Sequence, residues 1–122
     1  MTIANIRWFK DLGIKDIPEV GGKNASLGEM IQHLSPMGVI VPDGFATTAS
    51  AFHAFLDKNH LSEKIYAELK KLDVTNMRSL QKVGQRIRAS IIKAPFLPEF
   101  QKELEVAYQE LVSQYGRSCS LA

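Results

Sequence analysis

The sequence predicts an α+β fold, mostly helical, with a few short strands near the N-terminus. Three observations carry that expectation. Short β-branched or extended runs occur only up to Thr48, apolar positions recur at helical spacing beyond it, and proline, glycine and capping residues separate those stripes.

The elements follow in order. Residues 3–12 carry Ile6, Trp8, Phe9 and Leu12 and read as a short strand ending at Gly13. Asp16-Ile17-Pro18 reads as a turn leading into Gly21-Gly22-Lys23. A first helix is expected from about Lys23 to Leu34, with Leu27, Met30, Ile31 and Leu34 at its apolar spacing, stopped by Ser35-Pro36-Met37-Gly38. Val39-Ile40-Val41 is a β-branched run, Pro42-Asp43-Gly44 a turn, and Phe45 to Thr48 a further extended candidate. Thr48 can cap a helix bearing Phe52, Phe55 and Leu56. Leu61, Ile65, Leu69 and Leu72 mark the next helix. Met77, Leu80, Val83, Ile87 and Ile91 mark a longer one, capped by Thr75 or Asn76 and ended at Ala94-Pro95, because the residue before proline avoids the helical region. Pro98 opens a last helix with Phe100, Leu104, Ala107, Tyr108, Leu111 and Tyr115 on one face.

Composition bounds the function. With 122 residues, 45% hydrophobic and 23% charged, the chain has the make-up of one soluble globular unit. The 15 basic and 13 acidic residues leave a net charge of +2, and no run of like charge supports a nucleic-acid or membrane-surface role. The single cysteine, Cys119, excludes an internal disulfide and fits a reducing, cytoplasmic setting. Arg7, Lys10 and Asp11 interrupt any signal-like apolar core, and nothing approaches a membrane-spanning run.

Most side chains with chemistry to offer have a plain structural reading. His33, His53 and His60 lack metal-ligand spacing, and Cys119 has no base near it in sequence. Glu63, Glu68, Glu99, Glu103, Glu105 and Glu110 interleave with lysines as solvated faces, and Glu29 falls at an exposed helix position by default. Arg86 and Arg88 point to different sides of their helix and read as surface, while Phe52, Phe55, Phe100 and Tyr108 read as core. The Gly21-Gly22-Lys23 turn stands apart. Two residues without Cβ, a lysine and a helix start together suit a phosphate, although the same turn also serves as a plain helix entrance. It is not a Walker A loop, since Ile17 and Asn24 stand where that motif needs glycine and a hydroxyl residue.

The stretch Val20-Gly21-Gly22-Lys23-Asn24-Ala25-Ser26-Leu27-Gly28-Glu29-Met30 closely resembles the N-terminal nucleotide-domain motif of the phosphoenolpyruvate synthase (pyruvate, water dikinase) family. Gly38 to Thr48 matches the family's second block, and Ile91-Ile92-Lys93-Ala94-Pro95-Phe96 a later one, in order over about Trp8 to Leu111. Related pyruvate phosphate dikinases and rifampicin phosphotransferases share the domain, but Asn24-Ala25-Ser26 and Ala46-Thr47-Thr48-Ala49 favour the synthase.

The resemblance implies an ATP-grasp-like nucleotide-binding domain, of which residues 1–122 would form a part incomplete at the C-terminus. It implies ATP as ligand, with Lys23 on its phosphates and Gly21 and Gly22 letting the backbone approach. It further implies magnesium, a phosphohistidine intermediate on a separate domain, release of AMP and phosphate, and transfer to pyruvate in the full-length enzyme, giving phosphoenolpyruvate for gluconeogenesis. Family members continue into a strand reading Val-Arg-Ser-Ser-Ala; Arg117-Ser118 echoes it but arrives too soon after Tyr108 to inherit its role. The acidic magnesium ligands, the phosphorylated histidine and the pyruvate barrel have no counterpart here, so the chain is expected to bind ATP as a fragment without catalysing the whole reaction. A stand-alone nucleotide- or partner-binding module and a non-functional remnant are the alternatives.

Overall fold

The computed structural model describes residues 4–117. Strand β1 (Ile6–Trp8) and two 3-10 turns precede helix α1 (Ile17–Leu34); strand β2 (Phe45–Thr47) follows, and then helices α2 (Ala49–Lys58), α3 (Leu61–Lys70), α4 (Met77–Lys93) and α5 (Pro98–Tyr115). The predicted mostly helical α+β class agrees with this, the strand content among the described residues being one antiparallel pair. The chain forms two compact units, one built from residues up to Phe52 and from Pro98 onward, the other from His53–Leu97.

In the first unit β1 and β2 pair with Ile6 opposite Thr47, Arg7 opposite Ala46 and Trp8 opposite Phe45. The Phe9 N–H to the Gly44 carbonyl (2.8 Å) and the Thr48 N–H to the Asn5 carbonyl (3.0 Å) extend the ladder at both ends. The expected strand over residues 3–12 is therefore shorter, because the backbone coils into a 3-10 turn at Phe9–Asp11. That turn drives Leu12 into the core, where it is 0% exposed and packs with Val20, Ala25, Ala46 and Phe9.

Gly28 makes this packing reachable. A Cβ there would lie 2.7 Å from both the carbonyl carbon and the Cβ of Leu12, and closer still to its carbonyl oxygen. The Leu12 carbonyl in turn accepts the Gln32 side-chain amide (2.7 Å). Glu29 is no idle surface carboxylate either: its Oε1 accepts the Ile14 N–H (2.8 Å), and its Oε2 lies 3.0 Å from His33 Nε2. The turn before α1 is thus tied down by α1's own side chains.

Val39–Val41 forms no strand, contrary to the β-branched pattern. A strand needs a neighbour for its backbone groups; β2 has β1, and Pro42 lacks an N–H. Ile40 is 92% exposed as a result. Thr48 caps α2 as expected and does more. Its buried hydroxyl accepts the Ala51 N–H (3.1 Å) and donates to the Ala4 carbonyl (3.0 Å), joining the segment just ahead of β1 to the first turn of α2. Thr48→Val, equal in shape but without the hydroxyl, is expected to cost about 1–2 kcal/mol in urea unfolding. Thr48→Ser should keep most of that stability; equal losses in both would mean that the hydroxyl is not the cause.

The second unit is built on Phe55, Leu56 and Leu61, against which Ile65, Ile91 and Ala94 pack. The Phe55 and Phe96 rings stand 6.0 Å apart. Helix α3 ends at Lys70, so Leu72 lies beyond the helix that its spacing suggested. Of the two possible caps of α4, Asn76 is the one used, its side-chain Oδ1 accepting the Ser79 N–H (3.1 Å). Thr75 instead gives its hydroxyl and N–H to Asp73, and these bonds hold the Asp73 carboxyl below its ordinary pKa. Arg86 pairs with Glu68 (3.2 Å). Ala94 leaves the helical region before Pro95, as the proline predicts. Among the described residues no helix is long and apolar enough to cross a membrane.

Candidate nucleotide site

The turn singled out in the sequence is not a loop. Helical structure begins at Ile17, six residues before the expected start, and breaks at Gly21, whose φ of 80° and ψ of 162° lie outside any helix. Pro18 in the first turn and Glu19, whose carboxylate accepts the Ser50 hydroxyl (2.9 and 3.0 Å), hold the short 17–20 segment. The helix then resumes at 22 and runs to Leu34. Only Gly21 needs to be glycine for backbone reasons, since a side chain at its dihedrals is strained. Gly22 has an ordinary φ, and a Cβ at either position would meet nothing within 4 Å. Both glycines are exposed.

Lys23 and Asn24, just past the break, lie on a cleft of about 800 Å³ in the first unit. Its other walls are Phe9 and Leu27, the segment from Asp43 to Thr47, and Leu104, Glu105, Tyr108 and Leu111 of α5. Lys23 is exposed, and no ion pair to it occurs among the described residues. Its ammonium is therefore available to an incoming anion, beside a largely apolar wall. The 44–47 segment is held in place by Asp43, whose Oδ1 accepts the Gly44 (2.8 Å) and Lys10 (3.2 Å) N–H groups and whose own N–H donates to Tyr115 Oη (2.7 Å). A second, smaller hollow of about 540 Å³ is rimmed by Glu99, Glu103 and Glu110 around Trp8 and Val106. Lys102 also lines it, so it carries three carboxylates to one ammonium, whereas the Lys23 cleft carries two, Asp43 and Glu105, to one; the smaller hollow is the less favourable of the two for an anion.

Sequence reasoning singled out Lys23 but not the residues that share its cleft. Leu104, Tyr108 and Leu111 read as a core stripe at helical spacing; all three line the cleft, and while Leu111 is buried as expected, Tyr108 remains 38% exposed. Phe52, likewise expected in the core, is 50% exposed. Asp43 carried a signal as the middle of a Pro-Asp-Gly turn, but nothing in the sequence tied that turn to Lys23.

The cleft does not form a magnesium cage. Its two carboxylates, Asp43 and Glu105, already accept hydrogen bonds, the latter from Gln101 (3.0 Å), and among the described residues no group of three or more His, Cys, Asp or Glu could hold a metal. None of the three histidines lines the cleft. Arg117 sits in the turn beyond α5, and Cys119 lies outside the described residues.

Comparison with known proteins gives the family. Residues 17–122 match the family of the pyruvate phosphate dikinase AMP/ATP-binding domain. The chain is 50% identical over 106 residues to the phosphoenolpyruvate synthase of Escherichia coli strain K12, covering 87% of this chain and 13% of that protein. It is 50% identical over 109 residues to the phosphoenolpyruvate synthase of Neisseria meningitidis, covering 89% and 14%, and 41% identical over 112 residues to that of Aquifex aeolicus, covering 92% and 13%. The chain thus spans 13–14% of the length of these relatives. With an exposed lysine at a broken helix start, an apolar cleft beside it and these matches, the chain belongs to the pyruvate phosphate dikinase AMP/ATP-binding domain family, among relatives that are phosphoenolpyruvate synthases.

Proposed function

We propose that this chain binds ATP for a phosphoenolpyruvate synthase reaction, with Lys23 on the phosphates and the Leu27–Tyr108 cleft against the nucleoside. On this reading the complete nucleotide domain is ATP-grasp-like. With water as the second substrate, ATP phosphorylates a histidine outside this chain while AMP and phosphate leave, and pyruvate then receives the phosphoryl group to give phosphoenolpyruvate. The single observation behind the reading is the position of Lys23 within the family match: an exposed ammonium without a carboxylate partner among the described residues, on the wall of the larger cleft.

The role of such a lysine is electrostatic. It offsets phosphate charge and fixes the polyphosphate chain in the line of transfer, where positioning accounts for most of the catalysis. Because no histidine lines the cleft, the residues here would bind and orient ATP without taking up its phosphoryl group. Magnesium enters the reading through the family alone, and no step here runs through it.

Calorimetric titration with ATP tests this. Lys23→Ala is expected to weaken ATP binding by about 10-fold to 100-fold, the worth of one charge-assisted hydrogen bond. The loss should shrink as salt is raised. An unchanged affinity would remove Lys23 from the site and leave the plain helix entrance as its role.

A further inference from the structure

The break at Gly21 poses a mechanical problem. Glycine has several backbone wells open to it, so the direction of a lysine two residues past such a break depends on what spans the gap. Val20 and Ala25, on either side of it, share the Leu12 cluster, and Asn24 adds a directional polar link. Its side-chain Nδ2 donates to the Val20 carbonyl at 2.7 Å, reaching from the resumed helix back to the last residue before the break. The amide orientation follows from chemistry, since a carbonyl oxygen only accepts and must face the nitrogen. Val20 is itself buried in the Leu12 cluster, so the carbonyl end of this bond is anchored in the core. Asn24 is half-buried and shares the cleft wall with Lys23.

We propose that Asn24 is a positioning residue for the anion site: its amide locks the Gly21 break and so sets the direction in which Lys23 enters the cleft. The proposal rests on the nucleotide reading of that cleft but makes a claim of its own about the ligand-free chain. Asn24 touches no phosphate in this scheme. It removes conformations in which the ammonium points elsewhere, so that ATP binding need not select against them.

The test is a double-mutant cycle on the full chain, titrated with ATP, together with amide hydrogen exchange on the ligand-free proteins. Asn24→Leu keeps the approximate shape and removes the donor. It is expected to weaken ATP binding about fivefold to tenfold, the worth of one hydrogen bond. On the Lys23→Ala background the same change should alter affinity by less than about twofold, because a residue acting through Lys23 has nothing left to position. Without ligand, the Gly22 and Lys23 amides of Asn24→Leu should exchange faster, with the melting temperature falling by about 2–6 °C, the cost of one lost hydrogen bond. Equal affinity losses on both backgrounds, or unaltered exchange at Gly22 and Lys23, would overturn the proposal. An unaltered affinity in Lys23→Ala alone would instead sink the nucleotide reading, and the exchange arm would still decide whether Asn24 locks the break.

Discussion

Gly28→Ala is expected to lower the melting temperature by about 10 °C or more, from an overpacking cost of about 3 kcal/mol. The sign is the informative part. At an exposed helix position the same change raises stability by roughly 0.5–1 kcal/mol, because alanine loses less backbone entropy than glycine. Here the new methyl group would meet the backbone of Leu12. Backbone cannot swing aside as a lysine tip would, so α1 must move away from the 12–14 segment. That motion opens the core around a fully buried leucine and stretches the Gln32 and Glu29 bonds that hold the same segment. Thermal unfolding followed by circular dichroism checks it. A melting temperature that stays level or rises would mean that the close approach of α1 to Leu12 is wrong.

Gly21→Ala has a different cause and a different signature. Nothing stands near the new methyl group, so the cost is purely one of dihedral angle. At φ 80° and ψ 162° an alanine pays about 1–3 kcal/mol of strain or abandons the conformation. If it abandons it, the 17–20 and 22–34 segments straighten or separate and Lys23 is redirected. ATP affinity should then fall by about tenfold or more, the equivalent of at least 1.4 kcal/mol. Gly22→Ala is the control, with an ordinary φ and open space around its Cβ. It should match or slightly exceed the parent in stability. If Gly21→Ala and Gly22→Ala behaved alike in both stability and affinity, the break at Gly21 would not be a feature of the protein in solution.

These contrasts mark what the sequence could and could not convey. Helices α2 to α5 were legible because their signals are local: Thr48, Asn76, Ala94-Pro95 and Pro98 bound stripes whose period is the helix's own. Strand pairing was legible only in part. Phe45–Thr47 and Val39–Val41 look equally extended, and what separates them is a neighbour, which periodicity does not encode. The same holds for the glycines. Gly21, Gly22 and Gly28 are one letter in the sequence, yet one is needed for its dihedrals, one for close packing and one for neither. At the site, Lys23 was legible through its motif, whereas Leu104, Tyr108 and Leu111 come from about eighty residues further along the chain and join it only through the fold.

Trp8 carries one more consequence. It is the single tryptophan of the chain, on β1, edge-on to Phe45 at 5.5 Å and with the Lys10 ammonium 6.0 Å from its ring. The His53–Leu97 unit contains no tryptophan at all. Intrinsic fluorescence therefore watches one unit only, while far-ultraviolet dichroism is dominated by helices in both. The protein carries its own two-channel test of cooperativity. Coincident melting curves would mean that the two units unfold together, and separated curves would resolve them without a label.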